Sequence, residues 1–119
     1  MAKGGIEHRR AQIIIRDYYR RMGKIAIIEG FVGGKHVDVF VYDPVTGGTK
    51  ALEYETANIP HVLNNIFIDS RICDEVITVS LERHILDGIK VRAERAFGSR
   101  ECVNRQFRLL KDFVPQGAE

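Results

Sequence analysis

Three carboxylates stand on two neighbouring apolar segments of the chain. Asp38 lies within residues 36–42, and Glu53 and Glu55 lie within residues 50–56, with a turn rich in proline and glycine between the segments. This pattern predicts two β-strands joined by a hairpin. Because carboxylates avoid burial unless they are paired or bind a cation, we predict a divalent-metal site on a sheet.

The chemistry that such a site supports is phosphodiester hydrolysis, for which bound Mg²⁺ supplies an activated water and stabilises charge on the phosphate. Mg²⁺ (or Mn²⁺) takes oxygen ligands, typically from only one or two carboxylates. We expect Asp38, Glu53 and the backbone carbonyl of Tyr54 to be direct ligands, with Glu7 holding a coordinated water or a second ion. Carboxylates that converge without metal would repel one another, so we expect at least one raised pKa.

A helix over residues 6–22 is predicted to carry Glu7. One stripe of this helix contains Glu7, Ala11, Ile14, Tyr18 and Met22. Glu7 heads the stripe, where two interpretations stay open. It is either a first-turn acid favoured by the helix dipole, or a side chain that points under the helix towards the acidic strands.

The remaining elements complete a mixed α/β sheet flanked by helices. Strands are predicted at 24–31 and 75–80, and a helix begins at Pro60, capped by Asn58 or Ile59, and ends near Ser70. In the last third, the sequence predicts a short helix over 81–86 that stops at Asp87-Gly88, an edge strand over 89–93 and a helix over 102–113. The order αβββαβ fills about residues 3–80 of a single domain spanning 1–119, and residues 81–119 form an extension.

Charge is unevenly distributed along the 119 residues, although the net charge is only +2. Residues 1–24 hold seven basic against two acidic side chains, residues 25–82 three against nine, and residues 83–119 eight against five. An acidic centre between basic ends suits a cation site that handles a polyanion. No apolar run approaches a membrane span, and two cysteines with no metal-ligand spacing favour a reducing cytoplasm.

The acidic residues and the order of elements resemble the restriction-endonuclease-like superfamily of PD-(D/E)xK nucleases. Within it, Lys3-Gly4-x-x-Glu7 and the segment 33–39 resemble the archaeal Holliday-junction resolvases, and the segment 51–56 resembles their metal strand. The resemblance covers about residues 3–80. It implies a restriction-endonuclease-like αβββαβ core and a Mg²⁺-dependent DNA endonuclease, with branched or recombination DNA as a candidate substrate and a homodimer as the working unit.

One position departs from this family, because Glu55 stands where the motif has lysine. Glu55 is then a candidate general base. Lys35 and Lys50 are candidates for the missing positive charge, although neither is predicted to be in register for it. The residues expected to contact DNA are Lys3, Arg9, Arg10, Lys35 and His36.

Two other functions stay open at this point. The same scaffold could be a catalytically inactive nucleic-acid-binding module, which the glutamate at position 55 favours. It could also be a protein-interaction or regulatory domain, in which case the acidic strands are an ordinary solvated sheet face.

Overall fold

A five-stranded mixed sheet with helices on both faces forms the fold. The computed structural model describes residues 5–98 and 104–115. In chain order the elements are α1 (Ile6–Arg21), β1 (Ile25–Val32), β2 (Lys35–Tyr42), β3 (Thr49–Tyr54), α2 (Pro60–Ser70), β4 (Glu75–Ser80), α3 (Arg83–Phe97), β5 (Arg105–Leu109) and a 3₁₀ turn (Leu110–Phe113).

The strands lie in the order in which they occur along the chain, β1 to β5. β1, β2 and β3 form an antiparallel meander, whereas β4 pairs parallel with both β3 and β5. Parallel neighbours need a crossover, and α2 and α3 provide the two crossovers. The predicted order of elements up to β4 is therefore confirmed. Among the described residues, the model contains no helix with the length and apolar character needed to cross a membrane.

α1 packs on one face of the meander, but not with the stripe that the sequence predicts. Its buried residues are His8, Ala11, Gln12, Ile15 and Tyr19. Glu7 and Met22 are exposed, and Ile14 and Tyr18 are half-buried. The buried face is thus rotated by one residue from the predicted stripe, and this face packs against the meander. Two polar residues, His8 and Gln12, consequently lie beneath the helix.

α2 and α3 pack against each other on the opposite face. Pro60 occupies the first turn of α2 and Ile59 is its N-cap, as predicted. The buried residues of α2 are Val62, Asn65, Ile66 and Asp69. Their spacing is that of one helical stripe, so an amide and a carboxyl group share the core-facing side with two aliphatic residues.

The predictions for the last third are wrong in three places. α3 is one helix running through both the predicted stop at Gly88 and the predicted edge strand, because Leu86, Ile89 and Ala93 are buried at helical spacing. Gly88 is a point of close packing rather than a helix end. A Cβ built there would lie 2.6 Å from Asn58 Nδ2.

The predicted helix over 102–113 is instead β5 followed by a 3₁₀ turn, as far as the described residues 104–113 show. Its apolar spacing fits both a helix and a strand, since Phe107 and Leu109 also alternate. The free edge of β4 favours the strand over the helix. Backbone N–H and C=O groups on that edge gain hydrogen-bond partners when β5 joins the sheet. Leu110 and Phe113 then pack into the core cluster beneath α1.

Candidate functional site

Asp38 and Glu53 face each other where strands β2 and β3 part. The last backbone pair between the two strands is Val39 with Leu52. Beyond it, the Tyr54 backbone N–H donates to Asp38 Oδ2 over 2.7 Å, and the Asp38 N–H donates to Glu53 Oε1 over 3.3 Å. Asp38 is 1% exposed and Glu53 is 2% exposed. The two carboxylates are therefore built into the sheet, where they take over hydrogen bonds that a regular ladder would make between backbones.

On the α1 side, Asp38 contacts two buried polar residues. His8 Nε2 lies 3.0 Å from Asp38 Oδ1, and because the carboxylate accepts, Nε2 carries the hydrogen of this bond. Gln12 Nε2 donates to the Asp38 carbonyl over 3.2 Å and to Glu29 Oε2 over 2.8 Å. The His8 ring also meets the Tyr54 ring edge-on at 5.7 Å between centroids. These contacts fix the orientation of the Asp38 side chain.

Backbone distortion accompanies this arrangement in β1 and β2. Glu29 has φ of 56°, which an L-residue with a side chain rarely adopts. On β2, strict alternation would place Val37 with Val39 beneath α1, but Val37 packs instead with Ala51 and Cys73. The sheet is thus irregular at the level of Asp38. Strained backbone of this kind concentrates at functional sites, where the surrounding structure holds it in place.

On the α2 side, Glu53 belongs to an ionic cluster that Lys35 joins from the start of β2. Lys35 Nζ donates to Glu53 Oε2 over 3.1 Å and to Asp69 Oδ1 over 2.8 Å, and it lies 3.5 Å from Asn65 Oδ1. Lys35 is predicted from the sequence to be out of register for the charge of the motif lysine, yet its ammonium does lie beside Glu53. The four-carbon stem reaches inward from its strand and brings the ammonium to the acid that the metal-strand pattern singles out.

Carboxyl groups outnumber ammonium groups in this cluster, by two to one. Within residues 5–98 and 104–115, Asp69 Oδ2 is buried with no hydrogen-bond donor. Burial, followed by the neighbouring Glu53 carboxyl, raises the pKa of Asp69 to about 8, although Lys35 opposes the shift. Burial lowers the pKa of Lys35, but Asp69 and Glu53 outweigh it and hold that pKa above its usual value. With its pKa near 8, the Asp69 carboxyl group is largely protonated at neutral pH, so Lys35 and Glu53 form the charged pair of the cluster.

The raised pKa lies on Asp69, which the sequence reasoning missed, and its largest cause is burial rather than the repulsion expected among the predicted acids. The other missed residues of the site are His8, Gln12, Glu29 and Asn65. A signal was available for four of the five, since His8 and Gln12 in α1, and Asn65 and Asp69 in α2, occupy otherwise apolar helical stripes. Polar side chains in such positions are costly unless they are paired.

The other two predicted acids lie at the edge of the site. Glu7 is exposed on α1, and its Oε2 accepts a hydrogen bond of 2.8 Å from the Tyr54 hydroxyl. Burial and this contact with Glu7 raise the pKa of Tyr54. Glu55 follows the last residue of β3 and is half-buried, with its Oε2 3.3 Å from Asn65 Nδ2. Glu7 and Glu55 thus approach from the α1 and α2 sides respectively.

The residues predicted to contact DNA are placed differently from one another. Arg9, Arg10 and His36 are exposed, so they are accessible to a large ligand, whereas Lys35 is held against the acids. Lys3 lies outside the described residues. Lys50, the other candidate for the missing charge, pairs with Glu75 on β4 instead.

The donor chemistry of the site suits Mg²⁺, which prefers oxygen ligands. Among residues 5–98 and 104–115, no group of three or more His, Cys, Asp or Glu side chains is arranged to hold a metal ion. Two buried carboxylates, Asp38 and Glu53, do lie side by side, and two are what a Mg²⁺ site that keeps several waters typically uses. Their fit to the cation therefore rests on this pair and the adjacent backbone carbonyl of Tyr54.

Comparisons with protein-family models, with curated proteins and with solved structures found no match to this chain. A function must therefore be argued from the geometry of the acidic fork formed by Asp38 and Glu53 and from the groups around it.

Proposed function

We propose that this protein is a Mg²⁺-dependent (or Mn²⁺-dependent) DNA endonuclease of the restriction-endonuclease-like superfamily. The observation that supports the proposal best is the acidic fork. Two almost fully buried carboxylates, Asp38 and Glu53, meet where two strands part, and neither is needed to complete the apolar core. The αβββαβ order and the sheet, antiparallel at one end and parallel at the other, are compatible with that family's core.

In this proposal Asp38, Glu53 and the Tyr54 carbonyl hold the cation. When bound, it activates a water and stabilises negative charge on the phosphate. His8 and the Tyr54 N–H orient Asp38 by hydrogen bonds to its two oxygens, in the way that outer residues commonly orient metal ligands. Glu7 bonds to the Tyr54 hydroxyl and positions a water at the α1 side.

Lys35 and Glu55 divide the role of the motif lysine. Lys35 supplies positive charge beside Glu53 from a different strand, and buried Asp69 keeps its ammonium in place. Glu55, half-buried and directed by Asn65, accepts the proton of the attacking water. Arg9 and Arg10 contact the DNA backbone, and His36 also contacts the DNA. A homodimer is the proposed working unit, because so small a core offers little surface for a DNA substrate.

The test compares two matched glutamates, each on a strand and each paired with a lysine. Glu53→Gln is expected to abolish metal-dependent cleavage of a mixed panel of junction, duplex and single-stranded DNA, because a neutral amide is a poor ligand for Mg²⁺. Glu75→Gln, which removes the partner of Lys50 on β4, is expected to cleave like wild type. Cleavage is measured by gel electrophoresis with Mg²⁺, with Mn²⁺ and with a chelator.

Thermal unfolding with and without the cation provides the control. Mg²⁺ is expected to raise the melting temperature of wild type and of Glu75→Gln, but not of Asp38→Asn, because a ligand that binds only the folded state stabilises it. Cleavage by folded Glu53→Gln at the wild-type rate would exclude the nuclease proposed here.

A second candidate function is nucleic-acid binding without catalysis. Lys35 favours it, because its ammonium already neutralises part of the charge on Glu53 and Asp69 and so lowers the demand for a metal. This candidate predicts DNA binding that weakens steeply with salt, with no cleavage in any divalent cation.

A further inference from the structure

The hairpin of β1 and β2 presents two aromatic rings to solvent. Phe31 is 67% exposed, and His36, its cross-strand partner, is exposed as well. The two rings meet edge-to-face, with 4.9 Å between centroids and 60° between planes. Single exposed apolar residues are ordinary on protein surfaces. A phenylalanine at two-thirds exposure that is paired with an exposed imidazole is a different feature, because an edge-to-face contact leaves at least one face of each ring open.

The segment that carries these rings is held rigidly from the other side. A Cβ on Gly33, in the turn of the hairpin, would lie only 2.4 Å from the Ile72 side chain. Val32 packs in the cluster that contains Val37, and the Lys35 ammonium is bound to two acids. The backbone on both sides of the ring pair is therefore fixed, so a ligand that contacts the rings has little ordering entropy to overcome.

The ring pair lies next to the acidic fork. His36 is two residues before Asp38 on β2, and two residues of a strand span about 7 Å. That is about the spacing of neighbouring nucleotides in a strand of DNA, so a phosphate at the acidic fork leaves a neighbouring base within reach of the rings. Val45 is an exposed apolar residue that lies far from the rings along β2. It is 90% exposed in the loop between β2 and β3, at the other end of β2.

We propose that Phe31 and His36 form a stacking surface for an unpaired nucleobase of the substrate, so that the protein acts on DNA with single-stranded character. This inference rests on the proposed function and narrows its substrate. A base inside a duplex has both faces covered by its neighbours, whereas an unpaired base offers a face to an aromatic side chain. Phenylalanine forms no specific hydrogen bonds to a base edge, so the contact selects unpaired structure and not sequence.

The experiment measures binding by fluorescence anisotropy, in a chelator so that no cleavage occurs. The probes are a labelled thymidine oligonucleotide and a labelled hairpin duplex of equal charge. Phe31→Ala is expected to weaken single-strand binding about tenfold, as the loss of one stacked base would, and to leave duplex binding unchanged. Phe31→Tyr should restore stacking, and Val45→Ala should change neither affinity. Because no phosphate contact is lost, the salt dependence of Phe31→Ala should match that of wild type.

A second readout detects the stacking itself. An oligonucleotide containing 2-aminopurine loses fluorescence when that base stacks, so wild type and Phe31→Tyr are expected to quench it and Phe31→Leu is not. Single-strand binding and quenching that are unchanged in Phe31→Leu and Phe31→Ala would overturn the inference. Equal weakening of single-strand and duplex binding would overturn it too. Wild-type binding to duplex alone would overturn this inference and leave the nuclease proposal standing, whereas binding to no DNA at all would overturn both.

Discussion

Asp38 and Glu53 are neighbours on adjacent strands, yet their surroundings differ. Asp38 lies on the α1 side, where each of its oxygens accepts a hydrogen bond, one from the His8 ring and one from the Tyr54 N–H. Glu53 lies on the α2 side among charged groups, Lys35 and Asp69. One half of the acidic fork is ordered by hydrogen bonds, and the other is ordered by a cluster of one lysine and two acids.

The difference indicates how stability and function are distributed across the fork. A buried cluster of one lysine and two acids depends on every member, because removing one partner leaves another charge buried and uncompensated. We therefore expect variants on the α2 side to have larger effects, and a stronger dependence on pH, than variants on the α1 side.

The largest effect is expected for Lys35→Met. This change leaves the buried Glu53 carboxylate without its counter-ion and Asp69 without a hydrogen-bond donor. It should lower the free energy of unfolding by about 3 kcal/mol at neutral pH. Lys50→Met is the matched control, since Lys50 also pairs with a strand glutamate but in a more exposed position. Lys50→Met should lower the free energy of unfolding by less than about 1 kcal/mol. Urea unfolding measures the free energy of unfolding of both variants. Equal losses of stability would show that the Lys35 ion pairs contribute no more than an ordinary surface ion pair.

The pH dependence of stability is the second prediction. Because the pKa of Asp69 is raised to about 8 in the folded protein, the folded state keeps a proton that the unfolded chain loses near pH ~4. The stabilisation is therefore complete below the unfolded pKa and is lost as the pH rises to about 8, with a limiting slope of about 1.4 kcal/mol per pH unit.

Asp69→Asn tests this prediction, because the amide imitates the protonated acid and cannot titrate. In urea unfolding between pH 5 and 9, wild type should lose stability relative to Asp69→Asn up to about pH 8 and then run parallel to it. Asp87→Asn, at an exposed position of α3, should keep the wild-type profile. Parallel profiles for wild type and Asp69→Asn across the whole range would mean that Asp69 is ionised throughout.

The smallest effect is expected on the α1 side, for Tyr54→Phe. The change removes only the hydroxyl that donates to Glu7 and should cost about 1 kcal/mol, with no change in the pH profile. Tyr42→Phe, on the exposed end of β2, should be close to neutral in the same thermal and urea experiments. A loss from Tyr54→Phe as large as that from Lys35→Met would remove the distinction between the two sides.

Local sequence patterns were sufficient to predict the helices and strands of most of the first eighty residues. The alternation around Asp38 and Glu53, the Gly33-Gly34 turn and Pro60 each act over a few residues, so the meander and α2 follow from local rules. The last third follows different rules. The intrinsic preference of glycine predicts that a helix ends at Gly88. The structure keeps Gly88 inside α3 instead, because close packing against Asn58 leaves no room for a side chain there.

The candidate site divides in the same way. Sequence by itself determined that Asp38, Glu53 and Glu55 stand on two adjacent strands, because period-two alternation and a short hairpin leave few other arrangements. Only the tertiary structure decided their partners. The rotation of α1 brought in His8 in place of Glu7, and the packing of α2 brought Asp69 and Lys35 to Glu53. Those contacts join residues 16 to 34 positions apart in the chain, and no local pattern encodes which distant side chains share a buried space.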